Sequence, residues 1–204
     1  LIPDKYPRSR PLSIWIIGWD QNHIGRIIHK KLFRPGGYDI IQDRETGRMR
    51  VWNPNSPEDM ERIRECKPSP PLIPERMIEK WSWVDKSARI FRSVTLVNGN
   101  EIWAFPSTGE AGHGSEVDLI WIDEDIMYPG HVAEWRSRLL RRSGRLIWSA
   151  WPHSTNDALI DMVNRAHEAE QAGNSDVMEI VLRMSDNPYL PAAQKAKVIA
   201  GWSE

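Results

Sequence analysis

One apolar run in this chain ends on three acids: Val117-Asp118-Leu119-Ile120-Trp121-Ile122-Asp123-Glu124-Asp125. As a β-strand, it delivers adjacent carboxylates to its C-terminal end, the edge at which open α/β sheets bind ligands. An aspartate there can hold Mg²⁺, directly or through water. A glutamate beside it can polarise a water molecule for attack on a phosphoryl group. Asp123 is therefore the candidate metal residue and Glu124 the candidate water activator. Asp118, outside the pair, reads as salt-bridged or solvated, and Asp125 as facing solvent or capping a turn. The next apolar run, Gly144 to Trp151 (GRLIWSAW), ends on Ser149. If the two strands are neighbours, that hydroxyl can bond the catalytic water or sense a γ-phosphate. The same acids also fit a Mg²⁺-dependent nuclease, with Asp118 or Asp157 as a further ligand, although no clear third ligand stands out.

These groups need a sheet to carry them, and the order of elements supplies one. Leu12 to Gly18 (LSIWIIG) is apolar on both faces and reads as a buried strand. Ile24, Ile27, Ile28 and Leu32 then recur with helical spacing. Residues 34–57 read as irregular or hairpin-like around Glu45-Thr46-Gly47. Pro57 with Glu58 and Asp59 opens a helix to about Glu65. Four prolines in 67–74 make a loop, and Pro74 to about Trp81 reads as a short helix. Phe91 to Phe105 is a hairpin around Asn98-Gly99-Asn100. A helix carries Val132, Trp135 and Leu139, and Gly144 stops it. Arg145 to Ala150 reads as a buried strand. Ser154 with Asp157 caps a helix bearing Leu159, Met162, Val163 and Ala166. Val177 to Leu182 reads as a further strand and Pro191 to about Ile199 as a last helix. The alternation predicts an α/β fold: a mainly parallel sheet with helices on both faces, plus a hairpin. Residues 1–11, with three prolines, read as an arm or linker, and 12–204 as one domain.

Composition narrows the class. The 204 residues suffice for one ordinary core, and the 40% apolar and 27% charged content excludes collagen and a highly charged disordered tail. Cys66 is the single cysteine, so no internal disulfide forms and a reducing compartment is the simple reading. No apolar run approaches a membrane span. The net charge of −1 hides an asymmetry: residues 1–100 carry 18 Lys/Arg against 12 Asp/Glu, and 101–204 carry 9 against 16. Arg26, Lys30, Lys31 and Arg34, on one helix and its exit, form a candidate phosphate-tracking set, with Arg44, Arg48 and Arg50 beyond it. Eleven tryptophans are unusual. Trp15, Trp103, Trp121 and Trp148 fall in expected strands and read as packing, whereas Trp19 and Trp81 sit near element ends and can line a cleft.

Taken in order, IWIIGWD (14–20), GHGSEVDLIWIDED (112–125), GRLIWSAW (144–151) and MSDNPYL (184–190) resemble the ATPase domain of the large terminase subunit of tailed bacteriophages. The resemblance implies a P-loop NTPase fold of the additional-strand, RecA-like type, using ATP and Mg²⁺ to move double-stranded DNA into a capsid. Asp123-Glu124 would be its Walker B pair. Ser149, Ala150 and Trp151 would form its coupling motif, with Trp151 where the family often has threonine. His113-Gly114 lies where an arginine often precedes glycine. The implied partners are duplex DNA, a portal protein, a small terminase subunit and further copies in a ring, in the host cytoplasm. Arg89, Arg92 and Arg138 are candidates for the arginine that such rings insert in a neighbour, with Arg136, Arg141 and Arg142 crowded on the same helix as Arg138. The 204 residues contain no G-x-x-x-x-G-K-[ST]. The resemblance therefore implies an incomplete ATPase domain, with the P-loop expected upstream and a nuclease domain downstream. The isolated chain would hydrolyse ATP poorly. A catalytically inactive DNA-binding or structural protein of the packaging machine, and a different helicase-like ATPase, remain alternatives.

Overall fold

The computed structural model describes residues 10–110, 115–150, 156–174 and 176–201. Its strands are β1 (Ser13–Gly18), β2 (Asp39–Gln42), β3 (Met49–Val51), β4 (Lys67–Pro68), β5 (Ile78–Asp85), β6 (Ile90–Leu96), β7 (Glu101–Pro106), β8 (Leu119–Asp123) and β9 (Arg145–Ser149). Six form a central sheet in the order β5-β6-β7-β1-β8-β9. β7, β1, β8 and β9 run parallel, whereas β5, β6 and β7 pair antiparallel. The sheet is thus mixed, with the hairpin continuing its parallel half. β2, β3 and β4 form a small separate sheet.

Helices cover both faces, and each face has its own core. Residues 21–33 form a helix on one face, where Ile24 and Ile28 pack with Ile16, Phe91, Val94 and Ile102. The helix His131–Leu140 lies on the other, with Val132, Trp135 and Leu139 against Trp15, Ile17, Ile120 and Ile122. Met162 of the helix Asp157–Gln171 joins the same side. Odd and even residues of β1 and β8 face opposite cores, which is why both strands read as uninterrupted apolar runs. Trp15 is buried, and Trp103, Trp121 and Trp148 pack partly buried against the two cores. Gly144 is required by proximity: a Cβ there would stand 2.6 Å from the Val117 carbonyl oxygen.

Four sequence expectations change. Residues 78–81 belong to β5, not to a helix. Pro74 opens only one 3₁₀ turn, Glu75–Met77, and the chain then alternates so that Trp81 and Trp83 share a face and stack at 4.5 Å. β9 is an edge strand rather than a buried one, and Ile147 is exposed on it. Val177–Leu182 is no strand: Met178, Ile180, Val181 and Leu182 stand exposed, with no strand partner among the described residues. The cap of the Asp157–Gln171 helix is Asn156, whose Oδ1 accepts from the Ala158 and Leu159 N–H groups; Ser154 lies outside the described residues. Arg10, at the end of the expected arm, is anchored on Asp118. No helix among the described residues is long and apolar enough to cross a membrane.

Candidate active site at the carboxyl end of the parallel strands

Because β1, β8 and β9 are parallel, their C-terminal ends share one edge of the sheet. The register sets Asp123 directly opposite Ser149, and their side chains meet, with Ser149 Oγ donating to Asp123 Oδ1 at 3.0 Å. Trp121 Nε1 donates to the same hydroxyl at 2.9 Å, which orients it. The condition on Ser149 set by the sequence, that its strand lie beside the acidic one, is met.

Asp123 is buried, and its carboxylate gathers two further partners from the 21–33 helix. Lys31 Nζ lies 3.0 and 2.8 Å from its two oxygens, and His23 Nε2 lies 3.0 Å from Oδ2. Burial opposes the charged carboxylate. Lys31, His23 and Ser149 outweigh that cost and hold its pKa below the ordinary aspartate value. Asp20 caps the start of this helix, its Oδ1 accepting from His23 N–H at 2.7 Å. The helix then widens: His29 N–H bonds to Ile24 C=O, five residues back. Two ordinary turns take about seven residues. The extra residue in this turn brings His23 and Lys31, eight apart, onto the same face and the same carboxylate.

Glu124 has a different constraint. Its backbone sits at φ 69°, the left-handed region that non-glycine residues seldom occupy. Two bonds hold it there: Glu124 N–H to Ser149 C=O at 2.7 Å, and Trp148 Nε1 to Glu124 C=O at 2.7 Å. Strain of this kind is found where a side chain is re-aimed at a functional site. Asp125 caps the following turn through Ile126 N–H and accepts from Asn156 Nδ2 at 2.6 Å, which ties the strand end to the cap of the 157–171 helix.

Asp118 lies at the opposite end of the strand. It accepts from Arg10 at 2.8 Å, Arg142 at 2.8 Å and Ser13 N–H at 2.8 Å. Five residues of strand separate it from Asp123, roughly 16 Å. It is therefore excluded as a third ligand for a nuclease centre. Among the described residues no group of three His, Cys, Asp or Glu is placed to hold a metal ion.

The remaining site candidates scatter. Ala150 follows β9 and is exposed; Trp151, His113 and Gly114 lie outside the described residues. Arg138 pairs with Glu134 on its own helix. Arg92 is exposed on β6. Arg89 lines a cleft with Lys30 and Arg34. Arg26 is exposed on the helix, whereas Lys31, expected on DNA phosphates, stands on Asp123. Trp81 packs among His29, Phe33, Trp83 and Phe91 rather than lining a cleft. His23 and Lys31 were not legible as Asp123 partners. The signal was the position of their helix, directly after a strand parallel to the acidic one.

Comparisons with family models, curated proteins and solved structures find no match to this chain.

Proposed function

We propose that these residues form part of an ATP-driven DNA motor of the terminase type, with Asp123, Glu124 and Ser149 at its hydrolytic edge. The observation that carries the reading is the Asp123–Ser149 contact across β8 and β9. It joins a metal-type carboxylate to a coupling-type hydroxyl, with a strained glutamate next in sequence. The resemblance puts the coupling residues at the end of the strand that follows the Walker B strand, and β9 is the strand that follows β8. β9 stands beside β8 with its outer edge unpaired among the described strands. A further strand bearing the phosphate-binding loop fits that edge. The exposed apolar segment 177–182 offers a second strand to the same addition.

The donor set suits Mg²⁺ bound with a nucleotide. Asp123 and Ser149 offer hard oxygen ligands, and Mg²⁺ commonly uses one or two carboxylates plus substrate phosphates. When bound, the ion would neutralise charge on the phosphoryl oxygens. Lys31 is nearly half exposed at the side chain, so its ammonium can leave Asp123 without breaking the core. Glu124 sits one residue beyond, its carboxylate free of hydrogen bonds from described residues, and it would orient and deprotonate water. Ser149, held by Trp121 and Asp123, would report the state of the phosphate to β9.

The test is ATP turnover by the protein expressed from its own intact gene. Asp123→Asn is expected to lose Mg²⁺-dependent turnover. Ser149→Ala is expected to keep part of the turnover and lose its stimulation by duplex DNA. Unchanged turnover in Asp123→Asn removes the carboxylate from this role.

A further inference from the structure

A cleft of about 440 Å³ opens between the 21–33 helix and the turn joining β5 to β6. Gly25, His29, Lys30, Arg34, Pro35 and Arg89 line it. The lining thus carries three cations and no carboxylate. Lys30 and Arg34 stand four residues apart near the end of the helix, where like charges repel. Some cations elsewhere in the fold are matched, such as Arg50 to Asp59, Arg62 to Glu65 and Arg142 to Asp118. Lys30, Arg34 and Arg89 have no ion-pair partner among the described residues.

The arrangement is built rather than incidental. Asp85 organises the turn, accepting from Ser87 N–H, Ser87 Oγ and Ala88 N–H. Arg89 follows at φ 60°, a strained backbone for arginine. The turn approaches the helix so closely that a Cβ on Gly25 would lie 2.5 Å from the Ala88 carbonyl oxygen. Glycine is what admits Arg89 to the cleft. His29, buried beneath, has its pKa lowered by burial and then by Arg89 and Arg34, so both guanidiniums act on the same point.

We propose that this cleft binds phosphate groups of a duplex DNA backbone. Lys30 and Arg34 reach the cleft from the last turn of the helix and its exit, Arg26 stands exposed earlier on the same helix, and Arg89 adds a cation from the turn. A row of cations suits a polyanion, whose successive phosphates it can meet, better than one free ion. The phosphate site stands on the cleft alone; naming DNA as its source rests on the motor reading.

The experiment uses the 204-residue chain and a fluorescently labelled 30-bp duplex, with anisotropy read from about 50 to 200 mM salt. The double variant Lys30→Ala with Arg34→Ala is expected to weaken binding about tenfold and to lower the slope of log K against log salt by about 2. Arg89→Asn, a residue that tolerates the left-handed backbone, is expected to lower the slope by about 1. Lys195→Ala with Lys197→Ala, on the last helix, serves as control and leaves both quantities unchanged. Thermal melts confirm that every variant is folded. Wild-type affinity in the cleft variants, or equal weakening in the control, overturns the proposal. So does saturable movement of the His29 ring resonances with inorganic phosphate but none with duplex, which would make the source a free anion. The anisotropy assay contains no nucleotide, so failure of the cleft is read separately from failure of the hydrolytic site.

Discussion

The two ends of β8 carry buried aspartates in similar company and opposite condition. Asp118, at the entry, is gripped by two guanidiniums and a backbone N–H. Guanidiniums stay charged at any relevant pH and fit a carboxylate as a planar fork. Asp123, at the exit, is met by an ammonium on a half-exposed stem, an imidazole and a hydroxyl. Each of those partners can turn away or be replaced by a ligand. The first aspartate ties the β1 entry to the 131–140 helix exit and can do little else. The second is compensated by exchangeable groups. A buried carboxylate is therefore no sign of chemistry by itself; the replaceability of its partners is.

The sharpest way to break this contrast is to neutralise each aspartate. Asp118→Asn leaves Arg10 and Arg142 facing an amide and is expected to cost about 3 kcal/mol in denaturant unfolding. Asp123→Asn releases Lys31 to solvent and keeps a partner for Ser149, so about 1 kcal/mol is expected. Equal losses would erase the distinction between clamp and site.

Acid titration of stability sharpens it further. Asp123 has a lowered pKa, so its contribution is present above the unfolded carboxylate value, about 3.9, and is lost as pH falls through the folded one. Lys31→Met removes the largest opposing partner and leaves burial, which raises the pKa. The variant should lose the acid-side stabilisation and begin to lose ionised Asp123 at higher pH, as followed by the carboxyl ¹³C shift. Asp59, held at about 2 chiefly by Arg50, serves as an internal reference and should not move. The smallest expected effect is at Glu124. Glycine there relieves the left-handed backbone and should raise stability by about 0.5 kcal/mol. A loss would mean that the glutamate side chain contributes to the fold rather than to a reaction.

Asp123 and Ser149 were legible as candidates because each ends an apolar strand, where simple alternation places its residues, whereas Glu124 was legible only as the next residue, its left-handed backbone breaking that alternation. Their contact needed β8 and β9 to be neighbours in register, which short apolar strands in succession suggest. His23 and Lys31 were hidden because an apolar pattern marks the buried face of a helix and not the strand end that its polar residues reach. β5 was hidden by Pro74 and Glu75, which open a helix that stops after one turn. The run 177–182 has strand composition, but a strand needs a partner, and composition does not supply one. The cleft at Arg89 depends on Gly25 and on a strained turn, neither of which announces a long-range meeting.

The central claim is that Glu124 activates water beside Asp123. Its most direct test is steady-state ATP hydrolysis by the protein expressed from its own intact gene, with Glu124→Gln against wild type. The expected result is a loss of turnover of at least about 100-fold with nucleotide binding retained. Turnover at the wild-type rate with glutamine in place would contradict the account.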